Sequence, residues 1–330
     1  MKTSMLRFIL FTLISLQLSN SALAENNQNF YVFGDSLSDT GNVYIQTSAS
    51  GLPIPVPPQK RYFNGRFSNG PNAAEQFWKS LGKSSKVKPI LALSPEKLTL
   101  KPNKNLAISF AYGGSETSFG NSVLGQFNVT GLLGQVGMFK VIKNDSFVEN
   151  SLAFVWSGAN DYLNQFGKGI VIPTEQVVDN ISKSIRNLYA SGIRRFLVPN
   201  LPDLSEVPIA NFIAYQDPAN PHPEILDLLS FQTIDHNNRL RIELRELAKL
   251  PKIKIYKVDI YSITKSLIVR DDQVVAGPAA GCLYSPVLTQ DNCSIVPFDA
   301  GNGLIFWDEI HPTTEVHKVF AEAMLDSIKN

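Results

Sequence analysis

Net charge is almost absent from this chain. Its 30 lysines and arginines face 29 aspartates and glutamates, a formal balance of +1. That argues against a protein that grips nucleic acid by neutralising phosphates, and no basic run is long enough to read as a membrane-binding patch. Long hydrophobic runs are scarce too. The one at the N-terminus, FILFTLISLQL after Lys2 and Arg7, is too short to span a bilayer comfortably. It leads into Ala22-Leu23-Ala24, the small-residue pattern of a signal peptidase site. The expected organisation is a cleaved leader over residues 1–24 and a single domain over 25–330, with an uncleaved membrane anchor as the alternative. No cysteine stands at the junction to carry a lipid, and the mature chain would hold 28 basic and 29 acidic residues.

Cysteine occurs twice, as Cys282 and Cys293. In an exported protein an even count so close together suggests one disulfide, stabilising by roughly 2–3 kcal/mol in the chain-entropy picture; two free buried thiols are the other reading. There is no cysteine cluster and no H-E-x-x-H, so neither a metal nor another cofactor is expected. Internal repeats are lacking, and so is a linker. The proline-rich stretches 48–59 and 216–224 read as surface loops.

What the sequence does contain is an alternation of strand-like and helix-like segments. NFYVFG, LAISFAYG, SLAFVWSG, IRRFLVPN and KIKIYKVD are short and mostly apolar, as strands buried on both faces of a parallel sheet are. Helical spacing appears over 72–81, 132–142, 174–190, 224–250 and 313–328. This β-α repetition predicts an α/β fold, a doubly wound sheet of about five strands with helices on both faces. Ligands in such folds bind beyond the C-terminal ends of the strands, and three of the five strands end in a polar or glycine cluster: GDS, GGS and GAND.

Ser36, in YVFGDSLSDTGN, can be read in two ways. It can cap a helix that follows the first strand, or it can act as a nucleophile, for which a base must take its proton. No serine lies in a G-x-S-x-G or GDSGG context, which disfavours the α/β-hydrolase and chymotrypsin arrangements. Histidine is rare, with four in the chain. His222 and His236 read as surface residues, and His317 would face away from His311. His311 stands in FWDEIHPTTE with Asp308 three residues before it, near enough to orient the imidazole if the segment turns. A capped helix start, with Thr313 or Thr314 as cap, explains the same residues. AYGGSET and SGAND offer backbone and side-chain N–H groups for an oxyanion, or ordinary turns.

Taken together, the order GDS, GGS, GAND, DEIH resembles the GDSL, or SGNH, hydrolase family over nearly the whole mature chain. The resemblance implies a three-layer, flavodoxin-like α/β fold of the SGNH-hydrolase type. It makes Ser36 nucleophile and oxyanion donor through its N–H, His311 the base, and Asp308 the group that orients His311. Asn160 donates to the oxyanion through its side chain. Counted from Ser109, the glycine donor is Gly114 rather than Gly113; family members often carry Asn where Ser109 stands, an exchange expected to loosen that turn. The family pattern needs no metal. NGRFSNGPNAAEQF, NLPDLSEVP and IFWDEIHPTTEVHKVFAEAM resemble secreted members acting on lipids, the group of thermolabile haemolysins, glycerophospholipid–cholesterol acyltransferases and bacterial lysophospholipases A.

The implied activity is hydrolysis of acyl esters of lysophospholipids or phospholipids through an acyl-enzyme, with transfer to an alcohol such as a sterol as a second outcome. The partners expected are a lipid substrate at a membrane or micelle surface, with no nucleic acid, and a monomer is the default. CLYSPVLTQDNC, closed by the cysteine pair, ends shortly before Asp308; it is expected either to gate substrate entry, with a protease as activator, or to be a plain surface staple. A carbohydrate-ester deacetylase on the same scaffold and an exported binding protein without catalysis are the competing readings.

Overall fold

In the computed structural model the described residues are 28–52, 54–93, 105–123, 125–142, 148, 150–270, 277, 279 and 297–329. The expected leader over 1–24, Cys282, Cys293 and the loop between them lie outside these. Strand β1 (Phe30–Gly34) is buried along its whole length, and so is β6 (Leu152–Trp156). Both therefore need apolar cover on two faces, which is what their unbroken hydrophobicity dictates. Between them in sequence come β2 (Lys88–Pro89), β3 (Ala107–Ser109), β4 (Gly120–Val123) and β5 (Phe127–Thr130), and after them β7 (Arg195–Pro199) and β8 (Lys254–Val258). Six of these form one sheet in the order β2-β3-β1-β6-β7-β8. Every pairing in it is parallel, with Phe30 opposite Ala107 on one side and Leu152 on the other. The five expected strands are all present, and a two-residue edge strand makes the sixth. A separate antiparallel hairpin, β4–β5, stands apart from the sheet.

The helices are α1 (Asn42–Ala49), α2 (Ala73–Ser80), α3 (Leu132–Ile142), α4 (Ala159–Leu163), α5 (Thr174–Ala190), α6 (Pro208–Tyr215), α7 (Glu224–Leu247), α8 (Ile260–Arg270) and α9 (Thr314–Lys329), with a further short turn of helix at Gln165–Lys168. Aromatic side chains lock the layers together. Phe30 stacks on Trp78 of α2 at 5.4 Å, Phe33 stacks on Phe110 at 5.1 Å, and Tyr31 meets Phe139 of α3 edge-on at 4.9 Å. Such pairs add to the burial of large apolar surface. The loop at 216–224 is exposed as expected, but Val56, Pro57 and Pro58 of the first proline-rich stretch are buried, with Thr47 Oγ1 accepting the Val56 N–H at 2.9 Å.

The chain leaves β1, goes to the far edge at β2, returns through β3 beside β1, and then crosses to β6 on the other side. Beside β1 the winding therefore reverses, and a crevice opens past the strand ends. Ser36 is two residues beyond the last residue of β1.

Candidate active site

Past β1 the backbone has almost no freedom. Gly34 has φ +153°, and a Cβ there would come within 2.1 Å of the Trp156 carbonyl oxygen, so only glycine fits. Its N–H donates to Gln135 Oε1 at 2.9 Å, and its carbonyl accepts from Gln135 Nε2 at 2.8 Å and from Ser115 Oγ at 2.9 Å. A turn follows at once, in which the Asp35 carbonyl accepts the N–H groups of Ser38 and Asp39 at 3.0 and 2.9 Å. Ser36 sits on this turn, 7% exposed.

Its hydroxyl does not cap a helix. Helix α1 begins six residues later, and its open N–H groups are covered by Asp39, whose carboxylate accepts from Gly41, Asn42 and Val43 at 2.7, 2.6 and 3.1 Å. Ser36 Oγ is instead 2.8 Å from His311 Nε2. His311 Nδ1 is 2.7 Å from Asp308 Oδ2. With Asp308 accepting from Nδ1–H, Nε2 is left with a lone pair facing the hydroxyl.

A tight loop carries Asp308 and His311 together. Phe306 bridges Pro312, and Trp307 N–H donates to the His311 carbonyl at 2.7 Å. Asp308 Oδ1 accepts the N–H groups of Ile310 and His311, both at 2.7 Å. A further donor, which the sequence does not advertise, is Tyr62 Oη, 2.7 Å from Asp308 Oδ2. Burial pushes the Asp308 carboxyl up, but the neighbouring His311 and these hydrogen bonds outweigh it and hold it below its ordinary value. The ionised form is thus the folded form; its stabilisation is present above the ordinary carboxylate range and is lost as pH falls through the lower folded value.

Two loops face Ser36 across the crevice. In the loop after β3, Gly113 N–H donates to Asp39 Oδ2 at 3.0 Å and is engaged. Gly114 has φ +78°, and a Cβ on it would meet Val123 of the hairpin at 2.7 Å; its N–H has no acceptor among the described residues. Neither has that of Ser36. After β6, Asn160 Nδ2 donates to the Ser115 carbonyl at 3.0 Å, which fixes the amide and leaves its second hydrogen over. Asp161 joins the two loops, accepting Thr117 N–H at 3.0 Å and Thr117 Oγ1 at 2.7 Å. Ser109 does not loosen its turn. Its hydroxyl donates to the Ser38 carbonyl at 3.0 Å, and Asn42 Nδ2 bridges the Ser109 and Ala111 carbonyls at 2.9 Å each.

Burial is the main electrostatic influence here. It raises the carboxyl groups of Asp35 and Asp39 to about 6 and that of Asp161 to about 7, against the pull of their hydrogen bonds. It also corrects one expectation. His236 is not a surface residue but is fully buried, because α7 turns that side inward against the loop after β6. Its Nδ1 is 2.9 Å from Tyr162 Oη, and its ring lies against Gly158. Burial holds its pKa down at about 3. His222 is exposed beside Glu224, and His317 is buried against Phe320.

The His236 value carries a prediction. Protonation is disfavoured in the folded state, so the unfolded chain binds the extra proton. Stability is complete above the ordinary histidine value of 6.5 and falls as pH drops toward about 3. Replacing His236 with asparagine should remove about 2 kcal/mol of the loss between neutral pH and pH ~4.5. Urea midpoints of both proteins at the two pH values test this, since the buried aspartates are common to both. An equal loss in the variant would mean that His236 is not the group responsible.

A GDSL-like lipase/acylhydrolase family model matches residues 30–324. Phosphatidylcholine-sterol acyltransferase of Aeromonas hydrophila is 23% identical over 340 residues, covering 88% of this chain and 87% of that one. Secreted effector protein SseJ of Salmonella typhimurium is 28% identical over 304 residues, covering 89% of this chain and 62% of that protein. Among solved structures, a GDSL-like lipase from Parabacteroides merdae aligns with a TM-score of 0.45 at 10% identity, covering 91% of this chain and 95% of that one.

Proposed function

This chain belongs to the GDSL-like lipase/acylhydrolase family, and from that premise we propose that it is an exported serine esterase acting on acyl esters of lysophospholipids or phospholipids. The observation that carries the chemistry is the line Ser36 Oγ, His311 Nε2, His311 Nδ1, Asp308 Oδ2, with links of 2.8 and 2.7 Å. In this reading His311 takes the Ser36 proton as Oγ attacks the ester carbonyl. The oxyanion rests on the N–H groups of Ser36 and Gly114 and on the Asn160 amide. The alcohol leaves with the proton from His311, and water or a second alcohol then releases the acyl group from Ser36.

Lipid is favoured over sugar esters by exposed apolar side chains on segments that leave the same edge of the sheet as Ser36. Phe119, Ile170, Val171, Phe212 and Tyr215 are 47–70% exposed. All five belong to segments that leave the C-terminal ends of β3, β6 and β7, the edge at which Ser36 lies. The Ile209 N–H of α6 donates to the Glu309 carbonyl at 2.8 Å, tying Phe212 and Tyr215 to the loop of Asp308 and His311. Exposed apolar side chains on that side of the sheet suit a membrane or micelle surface. The Aeromonas relative's name, phosphatidylcholine-sterol acyltransferase, points to the same substrate class and supports transfer to an alcohol as a second outcome. Export follows from the expected leader.

The test is release of fatty acid from a lysophospholipid and a diacyl phospholipid, beside release of acetate from an acetylated sugar. Fatty acid from either lipid supports the reading, and acetate alone would replace it with a carbohydrate-ester deacetylase. In the same assay Asn160→Ala should lower kcat by about 10²–10³, with little change in KM. Unchanged kinetics would take Asn160 out of the oxyanion site.

A further inference from the structure

The segment 58–69, between α1 and α2, clasps the loop that carries Asp308 and His311, and it does so on both sides of the histidine. Before it, the Arg61 carbonyl accepts the Trp307 Nε1–H at 3.0 Å, and Tyr62 Oη donates to Asp308 Oδ2 at 2.7 Å. After it, Ser68 Oγ donates to the Pro312 carbonyl at 2.9 Å, and Asn69 Oδ1 accepts the Thr314 N–H at 2.8 Å. Phe67 lies between, its ring 5.2 Å from that of His311. These contacts hold one loop against another. That of Tyr62 does something besides, because it ends on the same oxygen that accepts from His311 Nδ1.

Tyr62 is fully buried. Its backbone N–H donates to the Pro58 carbonyl at 3.0 Å and its ring meets Phe67 edge-on at 6.4 Å, so the hydroxyl is held in place. A donor polarises the oxygen it binds and draws negative charge toward itself. The charge that Oδ2 presents to Nδ1 is therefore shared with the phenol, and less of it is left to stabilise the imidazolium formed when Ser36 gives up its proton. In a buried site water does not screen that difference. We infer that Tyr62 is a positioning residue of the catalytic line: its hydroxyl divides the charge on Asp308 Oδ2 and so sets how firmly His311 holds the serine's proton. The inference rests on the esterase reading above and adds a group that acts on the base through Asp308.

The charge of His311 is felt by Asp308, by Asp35 in the turn after β1 and by His317 on α9. On the clasping segment Phe67 faces the imidazole, and Arg66 is paired with Glu75 of α2. Burial raises Asp35 to about 6, where an acid limb falls, and holds His317 down at about 3. Both groups are unchanged by substitution at Tyr62, so a difference between two profiles belongs to its hydroxyl.

The experiment records kcat/KM against pH on a p-nitrophenyl ester for the wild type, for Tyr62→Phe, and for protein with 3-fluorotyrosine in place of Tyr62. Tyr62→Phe keeps the ring and removes the donor. Its acid limb should move up by about half a pH unit or more, and its plateau should fall about threefold to tenfold. Fluorine makes the phenol a stronger donor, and the limb should move down. A hydroxyl with a merely structural role would change rates without moving the limb in opposite directions. Limbs that coincide in the three proteins would overturn the inference. Should Tyr62→Phe fail to fold, the fluorinated protein decides alone, and a limb that stays put overturns it. A second arm follows the His311 ring by NMR over the same pH range, without substrate. Uptake of its proton at higher pH in Tyr62→Phe supports the inference even if the wild type turns over no ester, a result that would strike the esterase reading alone. A ring that titrates alike in both proteins, with ester hydrolysis intact, would overturn the role of Tyr62 and leave that reading standing.

Discussion

Replacing Ser36 with alanine should lower kcat by about 10⁴–10⁶, the range seen when a nucleophile acting in concert with its base is removed. The fold should barely register the change. Apart from its contact with His311, the Ser36 hydroxyl bonds to none of the described residues: the turn is kept by the Asp35 carbonyl, which accepts two N–H groups, and by Asp35 Oδ1, which accepts Leu37 N–H at 3.0 Å. Steady-state rates on an acyl ester, beside the thermal midpoint of the same preparations, separate the two effects. A residual rate within tenfold of the wild type would place the nucleophile elsewhere.

The second large effect is expected for Asp308→Asn. Asparagine has nearly the same shape as aspartate, yet kcat should fall by about 10⁴. Both carboxylate oxygens are acceptors here, one for Tyr62 Oη and His311 Nδ1, the other for the Ile310 and His311 N–H groups. If the introduced amide keeps its oxygen on the two backbone N–H groups, its NH2 faces His311 Nδ1. The imidazole must then carry its proton on Nε2, where it points at Ser36 and can no longer accept. Turning the amide over sets NH2 against two backbone N–H groups in a fully buried spot, which costs desolvation with no bond in return. The variant should thus lose kcat far more than substrate affinity, and the 15N shifts of the His311 ring should report the exchanged tautomer. Full activity in the variant would remove Asp308 from the catalytic chain.

Much of this arrangement was legible beforehand, for a physical reason. Strands buried on two faces must be apolar, so β1, β3, β6 and β7 stood out as apolar runs, while β8, an edge strand with only Val258 buried, showed as apolar residues interrupted by lysines; amphipathic spacing marked α2, α3, α5, α7 and α9. The short elements did not stand out. Strand β2 has two residues, and the hairpin strands have four each and are largely uncovered; helices α1, α6 and α8 also went unmarked, though α8 has eleven residues. Within the site, Ser36, Asp308 and His311 could be named because each sits in a local cluster. Tyr62 and Gln135 could not, since each acts on a residue whose proximity only the folded chain creates: Gln135 is 101 positions from Gly34, and Tyr62 is 246 from Asp308. His236 misled for a related cause. Its neighbours in sequence are polar, but α7 is long enough to show both a wet and a dry side, and Tyr162, its partner, comes from another helix.

The contact between Ser36 and His311 spans 275 positions, and that separation has a bearing on the time course of synthesis. The serine emerges from the ribosome among the first residues of the sheet, whereas the base arrives with the last helix. β1 also cannot reach its place between β3 and β6 until some 120 further residues have been made. Non-local parallel pairing of this kind is slow to form. A nascent or truncated chain therefore carries a serine with no partner to withdraw its proton, and in the esterase reading it is chemically inert toward an ester. Reactivity switches on once, at the end, when α9 docks and brings the loop before it against the turn after β1.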